Sequence, residues 1–292
     1  MTSDIGAGAP FFSGFEARRH TVDGVELHYV VGGAGPPLLL IHGAPQSHIM
    51  WRRAAPALAK HFTLVIPDLR GYGRSSKPAR GDYSKRRMAA DLVAIMDGLG
   101  HQRFCVAGHD RGARVTRRLV KDHEARVVRA AILDIVPTAY VYANLTKQVV
   151  MNMWNWCLWP AREPLPETVL NPEAVVAGPA RSVNAEPEAF ADYLLTNGNP
   201  EALHAMCEDY RAGASVDLEH DAADADRRIG VPLLIIWGAN SPSTGAVFDV
   251  EAAWRPEATD LSFRTVDTGH FMAEEAPELT AEILLDFFRD EA

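Results

Sequence analysis

The sequence predicts an α/β fold with a mostly parallel central sheet flanked by helices, and three observations carry that reading. Short continuous apolar runs of strand type recur along the chain, amphipathic helical patterns separate them, and one long stretch interrupts the alternation with no strand-like run. Strands buried on both faces read as unbroken apolar runs, and alternation with helices is what crossovers between parallel strands require.

Taken in order, residues 18–21, the Asp23-Gly24 turn and residues 25–31 read as an opening hairpin. Leu38-Leu39-Leu40-Ile41 is a short buried-strand run, followed by residues 62–66, Phe104-Cys105-Val106-Ala107, residues 127–133, 231–237 and 261–266. Met88, Leu92, Ile95, Met96 and Leu99 recur at helix spacing, and residues 113–120 continue from the Phe104 run with good helix formers. Between about Pro137 and Ala225 the alternation stops, although Trp154, Trp156, Trp159, several prolines and helical patterns are present. This stretch predicts a helical cap (138–225) inserted after the sixth strand of a core formed by 1–137 and 226–292, over the carboxyl edge of the sheet where such folds bind ligands. No internal repeat or low-complexity segment occurs.

A chain of 292 residues suits one domain with a large insertion. Hydrophobic residues at 47% and charged residues at 23% exclude disordered and fibrous classes. A formal charge of −9 argues against nucleic acid as a partner, since phosphate binding needs a clustered positive surface. Met1-Thr2-Ser3-Asp4-Ile5-Gly6 has no basic n-region before an apolar stretch, and no apolar run approaches the roughly 20 residues that span a bilayer. The expectation is a soluble cytoplasmic protein with no membrane partner. Cys105, Cys157 and Cys207 are too few and too scattered for a disulfide framework or a zinc site, and Cys105 reads as a core thiol.

The chemistry concentrates at Gly108-His109-Asp110-Arg111-Gly112. A strand precedes it, a helix follows it, and small residues flank Asp110, the context of the strained strand-turn-helix elbow that presents a nucleophile above an α/β-hydrolase sheet. A carboxylate there attacks a carbon bearing a leaving group and forms an ester, which points to an alkyl halide or an epoxide rather than an ordinary ester. Alone, Asp110 reads equally as an N-cap.

Thr268-Gly269-His270 follows the last strand run, where this fold carries its base, although a single loop histidine is more often a solvated one. A free imidazole, with a pKa of about 6.5, is largely neutral near pH 7 and can take a proton from water. The orienting acid has two seats. Trp237-Gly238-Ala239-Asn240-Ser241 offers no carboxylate after the seventh strand, whereas Asp134 ends the sixth among apolar neighbours, so Asp134 is assigned, with a capping role as the alternative. His42-Gly43-Ala44, after the third strand, supplies an oxyanion loop in which the Ala44 N–H joins that of Arg111. The glycine-rich 67–75 segment lacks the P-loop lysine and is read as scaffold.

With these residues in place, the sequence resembles the fluoroacetate and haloacetate dehalogenases of the α/β-hydrolase superfamily over nearly its whole length. Phe11-Phe12-Ser13-Gly14-Phe15, His109-Asp110-Arg111-Gly112-Ala113-Arg114 and Cys207-Glu208-Asp209-Tyr210-Arg211-Ala212-Gly213 carry the resemblance. It implies Asp110 as nucleophile, Asp134 as acid and His270 as base, with Arg111 and Arg114 clamping the substrate carboxylate. Those arginines are three apart on one helix and suit a short anion, unless they pair with structural acids such as Asp209 or Asp217. The resemblance places the leaving halide on Trp156 and Tyr210, with Asn155 where the family usually has His; Trp156 also reads as an ordinary cap aromatic.

An indole N–H, a phenol O–H and an amide NH₂ can each donate to a halide, but Asn155 cannot become cationic, which predicts less help for fluoride than for chloride. The implied reaction converts short 2-haloacids to 2-hydroxy acids through an aspartyl ester, without cofactor or metal, in an enzyme that is commonly a homodimer. The nearest alternative, an epoxide hydrolase, needs a second cap phenol from Tyr140, Tyr142 or Tyr193 beside Tyr210. Arg111, where such an enzyme has an apolar aromatic, disfavours it and a haloalkane dehalogenase alike. A catalytically silent ligand sensor is the third reading.

Overall fold

The computed structural model describes residues 9–289; the amino-terminal residues on which the reading of no export signal rests lie outside them. Eight strands, β1 (Glu16–Val22), β2 (Val25–Gly33), β3 (Pro37–Ile41), β4 (Thr63–Pro67), β5 (Phe104–His109), β6 (Val127–Leu133), β7 (Leu233–Gly238) and β8 (Leu261–Val266), form one sheet in the order β1-β2-β4-β3-β5-β6-β7-β8. β1 and β2 form the antiparallel hairpin, β2 meets β4 antiparallel, and every later pairing is parallel.

The unbroken apolar runs have a direct cause. Leu39 and Ile41 of β3 pack on one face and Leu38 and Leu40 on the other, all fully buried, and β5, β6 and β7 repeat the pattern. The helices Lys85–Gly98 and Arg111–His123 cover the first face through Met88, Leu92, Ile95, Val115 and Leu119. The helix Pro277–Arg289 covers the second through Leu284 and Phe288. Ser84 starts the first of these helices, its side chain accepting from the Arg87 N–H at 3.2 Å.

Two boundaries differ from the sequence pattern for physical reasons. β7 begins at Leu233 rather than Val231 because Pro232 has no N–H to give the ladder, although its carbonyl accepts from Ala130 at 3.0 Å. The helix after β5 begins at Arg111 rather than Ala113, directly after the turn residue.

Between β6 and β7 the chain forms eight helices, from Thr138–Ala143 to Val216–Ala223, and no strand. No helix among the described residues is long and apolar enough to cross a membrane. Cys105 is buried on β5. The 67–75 segment is held as scaffold, with Arg70 paired to Asp91, Tyr72 donating to Asp209 at 2.7 Å and Arg74 paired to Asp192.

The sheet order reverses at β3, so the carboxyl ends of β3, β5, β6, β7 and β8 open on one crevice. That crevice depends on packing under β6. Ile132→Ala removes a fully buried side chain there and should lower unfolding free energy by about 2–5 kcal/mol, read from urea titration as a lower midpoint with unchanged slope.

Candidate active site

Asp110 follows β5 with φ 48° and ψ −115°, a backbone conformation costly for a residue with a Cβ. The sheet and helix hold it there, since its N–H donates to Leu133 O at 3.1 Å and its carbonyl accepts from the Arg114 N–H at 3.2 Å. The turn works only because its neighbours are small. A Cβ on Gly112 would stand 2.3 Å from the His42 carbonyl, and one on Gly43 would stand 2.6 Å from Asp110 Cβ. The strained turn lifts the carboxylate to the crevice, where Oδ1 accepts the Ala44 N–H at 2.9 Å. His42 itself is buried, its Nε2 accepting from the Leu69 N–H at 3.0 Å, so it supports the loop rather than lining the cavity.

Asp134 follows β6, also in the left-handed region at φ 56°. Its Oδ1 accepts from the Gly238 N–H at 2.9 Å and its Oδ2 from Ser241 Oγ at 2.6 Å. The segment after β7, which lacks a carboxylate, therefore serves the acid after β6 with hydrogen bonds. His270 Nδ1 lies 2.5 Å from Asp134 Oδ2 and 3.0 Å from Ser243 Oγ, while its Nε2 faces Asp110 Oδ2 at 3.7 Å. Asp110, Asp134 and His270, far apart in the chain, thus meet in the expected order.

Two groups that sequence reasoning missed fix the base. His109 Nε2 donates to the His270 carbonyl at 2.7 Å with the ring centroids 4.7 Å apart, and Glu275 accepts from the N–H groups of Gly269 and Phe271 at 2.6 and 2.9 Å. His109 adjoins Asp110 in sequence and is legible there; Glu275 carries no local signal.

Burial alone would lower the proton affinity of His270, but the carboxylates of Asp110 and Asp134 outweigh it and raise its pKa to about 10. This departs from the expectation of a largely neutral imidazole near pH 7, because a free imidazole lacks two flanking acids. Burial lowers His109 to about 4, helped by the neighbouring His270, so that ring stays neutral. Burial would also raise Asp110, yet His270 holds it well below the usual carboxylate range.

The expected arginine pair is split. Arg111 turns away from the cavity, with Nε and Nη2 donating to the Asp209 carboxylate at 2.9 and 2.7 Å and its face over the Tyr210 ring at 4.1 Å. Asp209 is one of the two acids its sequence left open, and it also takes Lys85 and Tyr72. The position is explained by burial: a cation this enclosed needs a local counter-charge.

Arg114 lines the cavity instead. Its Nη1 donates to Val136 O and Thr138 Oγ1 at 3.0 and 2.9 Å, its Nε has no partner, and it has no carboxylate partner among the described residues. Burial and the nearby Arg111 lower its pKa to about 10. It is a buried cation with no ion-pair partner among the described residues, the nearby Asp110 carboxylate being the opposite charge that acts on it.

Asn155, Trp156 and Tyr210 line the same cavity. The Asn155 amide donates to the Tyr210 oxygen at 3.0 Å, which leaves the phenol hydrogen free to donate elsewhere. Trp159, not singled out from sequence, joins them; its indole N–H is buried without a partner, 4.7 Å separating its ring from that of Tyr210.

Among the described residues, one cluster has metal-ligand character, His28, His48 and Asp68, but both imidazole Nδ1 atoms are engaged with Asp68 at 3.0 and 2.9 Å. Asp68 further accepts the N–H groups of His48 and Arg74 at 2.8 and 2.9 Å, so the cluster is held together by hydrogen bonds.

The two-acid clamp on His270 has a measurable sign. Because its folded pKa of about 10 exceeds the 6.5 of a free imidazole, its stabilising contribution is complete below pH 6.5 and is lost as pH rises through 10. Nitrogen NMR of the imidazole should place its titration near 10, and Asp110→Asn should lower that midpoint. An unchanged midpoint in Asp110→Asn would assign the proton to Asp134 alone.

The α/β-hydrolase-fold family profile matches residues 36–158. The chain is 38% identical to a fluoroacetate dehalogenase of Burkholderia sp, covering 96% of this chain and 95% of that protein. It is 33% identical to a soluble epoxide hydrolase of Corynebacterium sp. (strain C12), covering 91% and 95%. The crystal structure of ALR0039 from Nostoc sp PCC 7120 superposes with a TM-score of 0.91 at 42% identity, covering 94% of this chain and 98% of that one. The chain belongs to the α/β-hydrolase family.

Proposed function

We propose that this enzyme hydrolyses 2-haloacids to 2-hydroxy acids through an aspartyl ester. The observation that carries the proposal is Arg114, a buried cation with no ion-pair partner among the described residues, in the same cavity as the Asp110 carboxylate. A substrate carboxylate supplies the missing charge and brings its halogen-bearing carbon toward Asp110. Arg111, committed to Asp209 through Nε and Nη2, holds the wall behind the site.

In the first step Asp110 Oδ2, which faces His270 Nε2 at 3.7 Å, displaces halide from the α-carbon. Asn155, Trp156 and Tyr210 donate to the departing ion. Ester formation removes the Asp110 charge, so His270 loses one of the two acids that hold its proton. It becomes the base for the second step, in which water adds to Asp110 Cγ. The charge then gathers on Oδ1, already beside the Ala44 N–H, and the hydroxy acid leaves with the oxygen that made the ester. One water is consumed, and halide and a proton are released.

An epoxide hydrolase is the second reading, favoured by the Corynebacterium relative. Against it, Tyr210 is the one tyrosine lining the cavity among the described residues; Tyr193 is spent on Glu274, Tyr140 packs on Phe248 and Tyr142 on Trp156. Styrene oxide assayed beside chloroacetate separates the two. A homodimer belongs to the same proposal, supported by exposed apolar side chains on the insertion at Met151, Trp154, Leu165, Val169 and Leu195.

In heavy-oxygen water under single turnover, label should enter an Asp110 peptide and not the product; label in the product alone would exclude the covalent step. Asp110→Asn should abolish turnover and His270→Ala should accumulate the ester. The two arginines should fail differently. Arg114→Gln should lower kcat/KM for a haloacid roughly 10- to 150-fold with little change in stability. Arg111→Gln should cost about 3–5 kcal/mol of unfolding free energy, because it breaks a buried pair. Fluoride release relative to chloride release should rise in Asn155→His, measured on fluoro-, chloro- and bromoacetate in parallel.

A further inference from the structure

The catalytic groups occupy one part of a cavity of about 520 Å³. A void of roughly 150 Å³ is enough to hold benzene, and pockets of roughly 300–1,000 Å³ hold drug-sized ligands. A haloacetate has fewer non-hydrogen atoms than benzene. It would leave most of this space to water beside a reaction that benefits from water exclusion.

The remainder of the cavity has a definite chemistry. Its charged lining residues are Asp110, Arg114, Asp134 and His270, all of them already assigned to the reaction. The opposite wall is built by the insertion helix Pro172–Ser182, whose cap Asn171 and residues Ala174, Val175, Gly178 and Pro179 recur at helical spacing on the cavity side. The side chains on that stripe are short, Asn171, Ala174 and Gly178 are solvent-exposed with Val175 and Pro179 half-buried, and a Cβ placed on Gly178 would meet nothing within 4 Å, so the stripe forms the open side of the cavity. Leu170 and Ile135 add apolar surface. The helix wall therefore offers room, apolar contact through Ala174, Val175 and Pro179 and no second cation, so it does not suit a dianion.

We infer that the site takes 2-halocarboxylates whose halogen-bearing carbon carries an apolar substituent larger than methyl, an alkyl chain or an arylmethyl group, in preference to short haloacids. The inference rests on the haloacid reading above and adds the substrate class. With the carboxylate on Arg114 and the reacting carbon at Asp110, the substituent lies along the helix Pro172–Ser182 and displaces the water that a haloacetate leaves behind.

Bromide release from 2-bromopropanoate, 2-bromohexanoate and 2-bromo-3-phenylpropanoate tests this, since all three have the same leaving group on a secondary carbon. KM should fall at least about tenfold from the first to the other two, as expected when several added carbons leave water. Ala174→Trp and Gly178→Leu, each checked for folding by circular dichroism, should remove that advantage by filling the wall. Turnover of 2-bromopropanoate with equal or lower KM than the longer acids would overturn the inference while leaving the haloacid reading intact. No bromide from any acid and no label in Asp110 would overturn the haloacid reading itself.

Discussion

The turn at Asp110 is the constraint on which the rest of the site depends. A residue with a Cβ is held at positive φ between a buried strand and a helix, and the backbone can close there only because Gly112 and Gly43 let the β3 loop come within contact distance. That closure puts the Ala44 N–H on one carboxylate oxygen and leaves the other facing His270. Asp134 repeats the device one strand over, again at positive φ, so both acids are presented by the ends of neighbouring parallel strands. Strain of this kind persists because the sheet, the helix and their hydrogen bonds over-determine it.

Electrostatics then divide the labour. His270 between two acids retains its proton until one acid becomes an ester, so the chemistry of the proposed first step prepares the base of the second. Arg111 and Arg114 are one helical turn apart on the same helix, yet one is matched internally by Asp209 and the other has no ion-pair partner among the described residues. The distinction is a matter of counter-charge, since both are buried. Asp209 also gathers Lys85 and Tyr72, tying the insertion to the core next to the cavity.

The β-type runs were legible because a strand buried on both faces leaves an unbroken apolar signature, and the elbow because a nucleophile between small residues needs both a strand before it and a helix after it. Asp134 could be chosen because an acid among apolar residues at a strand end requires donors, which the chain supplies through Gly238 and Ser241. Less legible were contacts between groups remote in sequence. Glu275 holding the His270 loop, and Asp209 capturing Arg111, have no local pattern, because any surface-like acid in the chain could play either part until the fold selects one.

The sequence by itself determined the architecture and singled out Asp110, Asp134 and His270 with two arginines near them, since these follow from local periodicity and turn chemistry. Tertiary structure alone decided which arginine stays available, how strongly the imidazole holds its proton and how much empty apolar space lies beside the reacting groups. Those properties depend on distances between side chains drawn from separate elements, and charge balance and cavity volume exist only once those elements have packed.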